Sequence, residues 1–381
     1  MYSQGEIEAA VAAGALAPEQ AASFREFVAA RNNTPTADEE YFRWIRGYND
    51  IFVAYACMAA LVAVGMIGAL VPIGGRGAGF GPFPSLPILA PLFVAAASWG
   101  LAEIFTLRRR TALPSWLLTI SFAFGVLLTL LAILAPMMGS ASGVAVLSAV
   151  AAAIAAVATW AFWLRFRVPV APSISVGMGV IAIMALFGVM FAGSRGGGDI
   201  MAIIALLIGV GVFAYAMWWD LQDRWRVTER ADVALWLHLL AALLLVFPLT
   251  ALLGVGQGIG SAGSAAVMIL LFLLFAFMSL VVNRKALVLT ALAPLIQAVN
   301  SLIPGRSGSS YGGYGGGYGR SPGDMLGGTV VTVVIISLIL LLLAIFWSPV
   351  RRGVLGILPA RLRERLSPTH ETPLEEARRF E

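Results

Sequence analysis

Long apolar runs separated by short polar stretches dominate the chain between residues 51 and 347. A helix needs about 20 apolar residues to cross a hydrocarbon core of about 30 Å, and ten runs approach or reach that length. Backbone groups inside a bilayer must be paired within the protein, which excludes an open sheet that faces lipid. The pattern therefore predicts an all-α, polytopic membrane helix bundle with transmembrane helices at about residues 51–73, 86–106, 114–136, 142–164, 169–192, 200–219, 232–253, 264–282, 286–303 and 326–347.

Basic residues alternate between the two ends of these predicted helices. Of the 25 Lys and Arg residues, 21 lie in the N-terminal segment, the C-terminal tail and every second connecting stretch. The exceptions are Arg76, Arg195, Arg306 and Arg320. Because loops rich in Lys and Arg stay on the cytoplasmic side of a membrane, we expect both termini to be cytoplasmic.

The tryptophans support the same orientation. All ten lie at or near the predicted cytoplasmic helix ends, where amphipathic indole rings favour the headgroup level. The sequence pI near 9.7 would otherwise suggest a nucleic-acid partner. The tryptophans and basic residues instead predict a bilayer partner, with anionic lipids at the cytoplasmic face and no nucleic acid.

Basic motifs recur along the chain at intervals of 56 to 67 residues, and the stretches between them at the opposite end are rich in glycine. This spacing predicts five helical hairpins that each start and end in the cytoplasm. Two explanations stay open, an internal duplication and the ordinary geometry of a regular antiparallel bundle.

The chain divides by composition into three parts. Residues 1–46 form a polar segment with two predicted short helices, 3–13 and 17–30, separated by Gly14 and with Pro18 in a first helical turn. Residues 47–350 form the membrane domain, and residues 351–381 form an amphipathic and disordered tail. Either end of the chain offers a surface for a protein partner.

Ionisable residues at membrane depth are costly, so the few that occur are the candidate site. His238 lies in the seventh run and Glu103 in the second, and helical rise places both in the predicted cytoplasmic half, where they could meet. Gln297 and Asn300 lie one turn apart in the ninth run. For His238 three roles are open: a hydrogen bond between helices, proton- or solute-coupled chemistry, or metal ligation. His370 in the tail is the only other histidine, which excludes a multi-histidine metal site within one chain.

Polar residues also lie at predicted helix ends. Asn49 or Asp50 is expected to cap the first spanning helix by accepting from its free amides, and an ion contact at Asp50 is the alternative. Asp220, in the stretch WWDLQDRWR, is expected to be a solvated partner of the neighbouring arginines. Pro172, Pro248 and Pro294 are expected to kink or break their helices.

The stretches DEEYFRWIRGYNDIFVAYAC and RADVALWLHLLAALLLVFPLT resemble a family of proteobacterial inner-membrane proteins of unknown function. The similarity extends over most of the chain. The resemblance implies a multi-pass protein of the bacterial inner membrane with a short helical cytoplasmic N-terminus, and it implies no particular activity. Family members often carry a proline and a second histidine where this chain has Leu243 and Phe247, so a two-histidine site is not implied. The resemblance is carried by Asn49, Asp50, Phe52, Asp232, Trp236, Leu237 and His238.

No catalytic spacing or zinc signature is present, and Cys57 is the only cysteine. The sequence therefore predicts neither a cofactor nor an enzyme. The leading functional hypothesis is transport of a small solute or ion, which predicts a polar cavity lined by Glu103, His238 or Asn300. The alternative is a non-catalytic scaffold or assembly factor, which predicts a sealed core and a partner surface on residues 1–46 or 351–381.

Overall fold

In the computed structural model the described residues are 7, 10–31, 48–71, 88–134, 137, 140–222, 229–253, 262–284, 286–302 and 322–357. Their regular secondary structure is helical throughout. The helices are α1 (Pro18–Arg31), α2 (Tyr48–Leu70), α3 (Leu89–Ala102, continued by a π-helical segment Glu103–Arg108), α4 (Ala112–Leu134), α5 (Ala141–Phe166), α6 (Val170–Met190), α7 (Gly197–Gln222), α8 (Glu229–Leu252), α9 (Ala262–Val282), α10 (Ala286–Leu302) and α11 (Pro322–Ile357).

The structure confirms the all-α polytopic helix bundle. Within the described residues, nine helices are long and apolar enough to cross a bilayer, with mean hydropathies from 1.5 to 3.1. The predicted ninth span corresponds to α10, which has only 17 residues. At 1.5 Å per residue α10 is about 25 Å long, at the lower limit of a spanning helix.

The last span and the prolines differ in part from expectation. The predicted span 326–347 agrees with the apolar stretch Val330–Trp347, and α11 continues past it through Pro349 to Ile357, into the predicted tail. Pro248 and Pro294 lie inside α8 and α10 without breaking them. Pro172 lies in the first turn of α6, where the missing amide hydrogen costs little. Neighbouring helices re-satisfy the backbone around a membrane proline, so a proline does not by itself end a spanning helix.

The hairpins are present, but they pair differently from the prediction. The most extensive contacts between consecutive helices join α3 to α4, α5 to α6, α7 to α8 and α9 to α10. Each of these pairs turns at a basic connection, which defines the arginine-rich end of the bundle. The predicted hairpins turned at the glycine-rich end instead. Three of the basic connections, 109–111, 167–169 and 283–285, are only three residues long, and short links hold consecutive helices side by side.

Three of these turns share an unusual backbone feature. Arg110, Arg167 and Asn283 follow the helix that ends at the turn, and each adopts a left-handed conformation, with φ of 52°, 54° and 58°. Glycine normally fills such a position because a side chain there is strained. The arginine-rich end therefore holds side chains where a relaxed turn would carry glycine.

Glycine instead serves close helix packing inside the bundle. A Cβ added at Gly209 in α7 would lie 2.8 Å from the carbonyl oxygen of Leu244 in α8. At Gly68 in α2 it would lie 2.7 Å from the backbone of α3. Small residues let membrane helices approach closely, and packing is a main source of their association.

The N-terminal segment agrees with its prediction where it is described. Helix α1 confirms the second predicted helix, and Gly14 precedes it with φ of 70°. Most of the first predicted helix lies outside the described residues.

Candidate functional site

An ion pair is buried at the arginine-rich end, between the last turn of α7 and the turn from α9 to α10. Arg284 donates through Nε to Asp220 Oδ2 at 3.3 Å, and its Nη2 contacts Oδ1 of the same carboxylate. The exposed fractions of the two side chains are 3% and 9%. Arg284 also donates to the carbonyl oxygen of Ala231 in α8 at 3.1 Å. The sequence context predicted that Asp220 is a solvated partner of the neighbouring arginines. That prediction is wrong, because its side chain is buried against Arg284.

The local backbone positions Arg284 for this contact. Asn283 ends α9 in the left-handed conformation. The Ser279 hydroxyl donates to the carbonyl oxygen of Arg284 at 2.5 Å, and the Arg284 amide donates to the carbonyl oxygen of Ser279 at 3.0 Å. These two bonds close the turn and fix the backbone from which the guanidinium extends.

Helix α11 joins the same region through two polar contacts. Trp347 Nε1 donates to Asn283 Oδ1 at 3.2 Å, and Arg351 Nε donates to the carbonyl oxygen of Leu280 at 3.3 Å. Arg351 is fully buried, so this arginine is not the headgroup anchor that its position suggested. The group is called the buried polar cluster below, and its side chains are those of Asp220, Ser279, Asn283, Arg284, Trp347 and Arg351.

The length of this turn does not by itself indicate the burial. The connections 109–111, 167–169 and 283–285 each have three residues, yet Arg109, Arg110 and Arg167 are exposed and Arg284 is buried. The difference depends on which distant helices pack beside each turn.

The tryptophans do gather at the arginine-rich end, but several of them contact one another across helices. The rings of Trp116 in α4 and Trp236 in α8 stack with centroids 5.9 Å apart. Trp163 in α5 meets Trp219 in α7 edge-on at 6.2 Å. Several indoles therefore form an aromatic layer within the bundle. Trp44 and Trp225 lie outside the described residues.

Glu103 pairs with an arginine of the next basic turn. Arg165 donates through Nε and Nη2 to the two carboxylate oxygens, both at 3.1 Å. The exposed fractions are 55% for Arg165 and 36% for Glu103, so water screens this pair. Both oxygens of Glu103 are taken by Arg165, and Glu103 makes no hydrogen bond to His238. The expected meeting of Glu103 and His238 is therefore not observed.

His238 is fully buried in α8. Its Nδ1 bonds to the carbonyl oxygen of Ala234 in the same helix at 2.7 Å, and its ring meets Phe213 of α7 edge-on with centroids 5.4 Å apart. These two contacts hold the imidazole ring in one orientation. The arrangement suits a packing role for His238, whose side chain is also ionisable.

Two serines supply hydrogen bonds between helices. Ser173 in α6 donates to the carbonyl oxygen of Trp236 in α8 at 2.9 Å, and Ser175 donates to that of Ala156 in α5 at 2.7 Å. Serine hydroxyls and histidine side chains both form such bonds between membrane helices, and the interhelical bond expected of His238 stays a prediction.

Buried apolar side chains of α7 and α8 lie near His238. Ala216 of α7 and Val233 and Leu237 of α8 form one buried cluster, with exposed fractions of 0%, 3% and 0%. His238 lies seven residues, or about 10 Å of helix, beyond Ala231, whose carbonyl oxygen accepts from Arg284. His238 is therefore about two helical turns from the contact that the buried polar cluster makes with α8.

The remaining predicted site residues lie apart from this cluster. Asn49 and Asp50 occupy the first turn of α2, with Asn49 exposed and Asp50 buried, and the preceding cap position is outside the described residues. Gln297 and Asn300 both belong to α10, but their side chains lie outside the described part of the structure. The predicted polar lining of a cavity by Asn300 stays a prediction.

Two features of the described residues concern ligand binding. The described residues contain no group of three or more His, Cys, Asp and Glu side chains that could hold a metal ion. A cleft of about 550 Å³ lies between α9 and α11, and its walls are apolar, formed by residues such as Phe272, Ala276, Leu343 and Phe346. Such walls suit hydrocarbon rather than a polar solute.

These features define a class, the multi-pass α-helical membrane proteins, with a buried ionic contact at one end of the bundle. Comparison with protein-family models, with curated proteins and with solved structures finds no match to the chain.

Proposed function

We propose that this protein is a non-catalytic membrane scaffold that presents its cytoplasmic ends to a protein partner. The observation that carries the proposal is the buried pair of Asp220 and Arg284. Together with the Ala231 carbonyl and the Asn283–Trp347 contact, it connects α7, α8, α9 and α11 at one end of the bundle.

The energetics of burial support a fixed frame. Removing one partner of a buried ion pair costs about 3–5 kcal/mol, because the remaining charge is left without compensation in an apolar surrounding. A transporter that alternates between two arrangements would have to keep or remake these contacts in each state. A scaffold requires only that the helix ends keep their positions.

The proposal includes an orientation and a location. The arginine-rich end faces the cytoplasm, in agreement with the positive-inside rule, and the membrane is the bacterial inner membrane. Anionic lipids contact the exposed arginines at this face. The partner binds residues 1–46, residues 351–381 or both.

Site-specific photo-cross-linking in cells tests the proposal. A photoreactive phenylalanine analogue replaces Phe24 in α1, which is 39% exposed. The control places the same analogue at Leu207, whose side chain is 66% exposed within the apolar helix α7. We expect one discrete protein adduct at position 24 and none at position 207. Asp220→Ala should reduce that adduct at equal protein level. Probes throughout residues 1–46 and 351–381 that yield no protein adduct would contradict the scaffold.

Transport remains a second candidate because His238 is an ionisable side chain that is fully buried in a spanning helix. Purified protein in liposomes with an internal pH-sensitive dye provides the test. Proton-coupled transport requires flux above that of empty liposomes, its loss in His238→Gln and its retention in Thr119→Ala, a buried hydroxyl that donates only to its own helix. The scaffold proposal expects the same flux with and without protein.

A further inference from the structure

Five arginines from two neighbouring turns lie close to one another at the arginine-rich end. Arg108 ends the π-helical segment of α3 and Arg109 and Arg110 follow it, while Arg165 lies in the last turn of α5 and Arg167 follows that helix. All five are exposed. The contact between Glu103 and Arg165 joins the two turns. This surface is called the arginine patch below.

The charge of the arginine patch is poorly balanced. Glu103 neutralises Arg165, and no carboxylate of the described residues pairs with Arg108, Arg109 or Arg167. The patch therefore attracts anions at short range. Exposed charges are screened beyond about 10 Å at ordinary salt, so the attraction acts on a group that reaches the helix ends.

Aromatic rings hold two of the guanidinium groups. The Arg167 guanidinium carbon lies 4.8 Å from the centroid of the Trp163 ring, and that of Arg109 lies 6.0 Å from the centroid of the Phe105 ring. Arg110 and Arg167 also have left-handed backbones. Such local strain persists where the surrounding structure over-determines it, and it occurs preferentially at functional sites.

Exposed apolar side chains adjoin the arginine patch on the same helices. Leu164, beside Arg165, is 54% exposed, and Ile104, one turn before Arg108, is 45% exposed. Both belong to segments that are long and apolar enough to span a bilayer. A ligand at this level meets guanidinium groups on one side and hydrocarbon-compatible side chains on the other. A phospholipid matches both, with an anionic headgroup and acyl chains. A soluble polyanion supplies the negative charge but no hydrocarbon.

We propose that the arginine patch is a binding site for an anionic phospholipid, with the headgroup phosphate on Arg108, Arg109 and Arg167 and the acyl chains along Ile104 and Leu164. Basic pockets between membrane helices at the cytoplasmic face recognise lipid headgroups in this way. The inference assigns the anionic-lipid contact of the proposed function to these two turns, and it does not require the scaffold role.

Native mass spectrometry of the full chain tests it, with micelles that contain equal amounts of phosphatidylglycerol and phosphatidylcholine. We expect the wild-type protein to retain phosphatidylglycerol preferentially in its singly lipid-bound form. The triple variant Arg108→Gln, Arg109→Gln, Arg167→Gln should lose at least tenfold of that preference, since each basic residue near a membrane surface contributes about 1 kcal/mol, or about fivefold.

A charge-matched control separates the site from net charge. The variant Arg195→Gln, Arg230→Gln, Arg352→Gln removes three exposed arginines elsewhere and should keep most of the preference. Equal loss in both variants, or no loss in the first, would overturn the inference. So would displacement of the lipid by millimolar inorganic phosphate, which would indicate a small-anion site. The triple variant at Arg108, Arg109 and Arg167 can also be combined with the photo-cross-linking probe at position 24. Loss of the protein adduct with an unchanged lipid preference would assign the arginine patch to a protein partner instead.

Discussion

Asp220 and Arg284 show how burial changes the value of an ion pair. Their side chains are almost fully buried, whereas Glu103 and Arg165 form a contact of similar geometry that water reaches. Exposed pairs contribute about 0–1 kcal/mol. A buried pair contributes little relative to well-packed apolar residues, yet it is costly to break by removing one member.

Asp220→Ala is therefore expected to lower the free energy of unfolding by about 3–5 kcal/mol, measured by denaturation of the purified protein in mild detergent. The double variant Asp220→Ala, Arg284→Met should recover much of this loss, because no uncompensated charge remains. Glu103→Ala is the matched control and should cost at most about 1 kcal/mol. Similar losses for Asp220→Ala and Glu103→Ala would show that the first pair is as solvated as the second.

Asn283 has two structural roles. Its backbone ends α9 in the left-handed conformation, and its side-chain oxygen accepts a hydrogen bond from Trp347. Asn283→Ala should cost about 2–3 kcal/mol, from about 1–2 for the strained backbone and about 1 for the lost hydrogen bond. Asn283→Gly removes the same hydrogen bond without the strain and should cost clearly less. Equal unfolding free energies for the two variants would mean that the backbone conformation contributes nothing.

At the scale of helices, the close contact of α7 and α8 depends on a missing side chain. Gly209→Ala would place a Cβ 2.8 Å from the Leu244 carbonyl oxygen, which forces the helices apart, whereas a Cβ at Gly211 meets no atom within 4 Å. We expect Gly209→Ala to cost about 1–3 kcal/mol. Gly211→Ala should be neutral or stabilising by up to about 1 kcal/mol, because alanine favours helix.

Thermal unfolding of the two variants in the same detergent measures this difference. A lower midpoint for Gly211→Ala than for Gly209→Ala would contradict the observed packing of α7 on α8. The same measurement tests the hairpin arrangement, in which these two helices turn at the arginine-rich end.

The membrane orientation of the protein can be tested directly, since we propose that the arginine-rich end faces the cytoplasm. Ser194 lies in the turn from α6 to α7 at one end of the bundle, and Arg167 lies at the other. In a Cys57→Ser background, a membrane-impermeant maleimide added to intact cells should label Ser194→Cys and leave Arg167→Cys unlabelled until the cells are opened. Labelling of Arg167→Cys in intact cells would reverse the proposed orientation.

The positions of the helices could be predicted from the sequence because a bilayer requires apolar runs of a defined length. The length of an apolar run sets the position of a helix, and ten predicted spans correspond to α2–α11 within a few residues at most ends. Larger differences occur where a chain can remain helical beyond the membrane, as α11 does after residue 347. Whether a polar segment continues a helix depends on the partners it finds.

Local composition is sufficient to predict the class of protein, the approximate positions of the long apolar helices and the gathering of arginines and tryptophans at one end. Which helices pair and which charges are buried depends instead on contacts between distant segments. Asp220 and Arg284 are 64 positions apart, and Arg351 is 71 positions from Leu280. An exposed and a buried arginine have the same local sequence signature, since burial depends on which distant helix packs beside it.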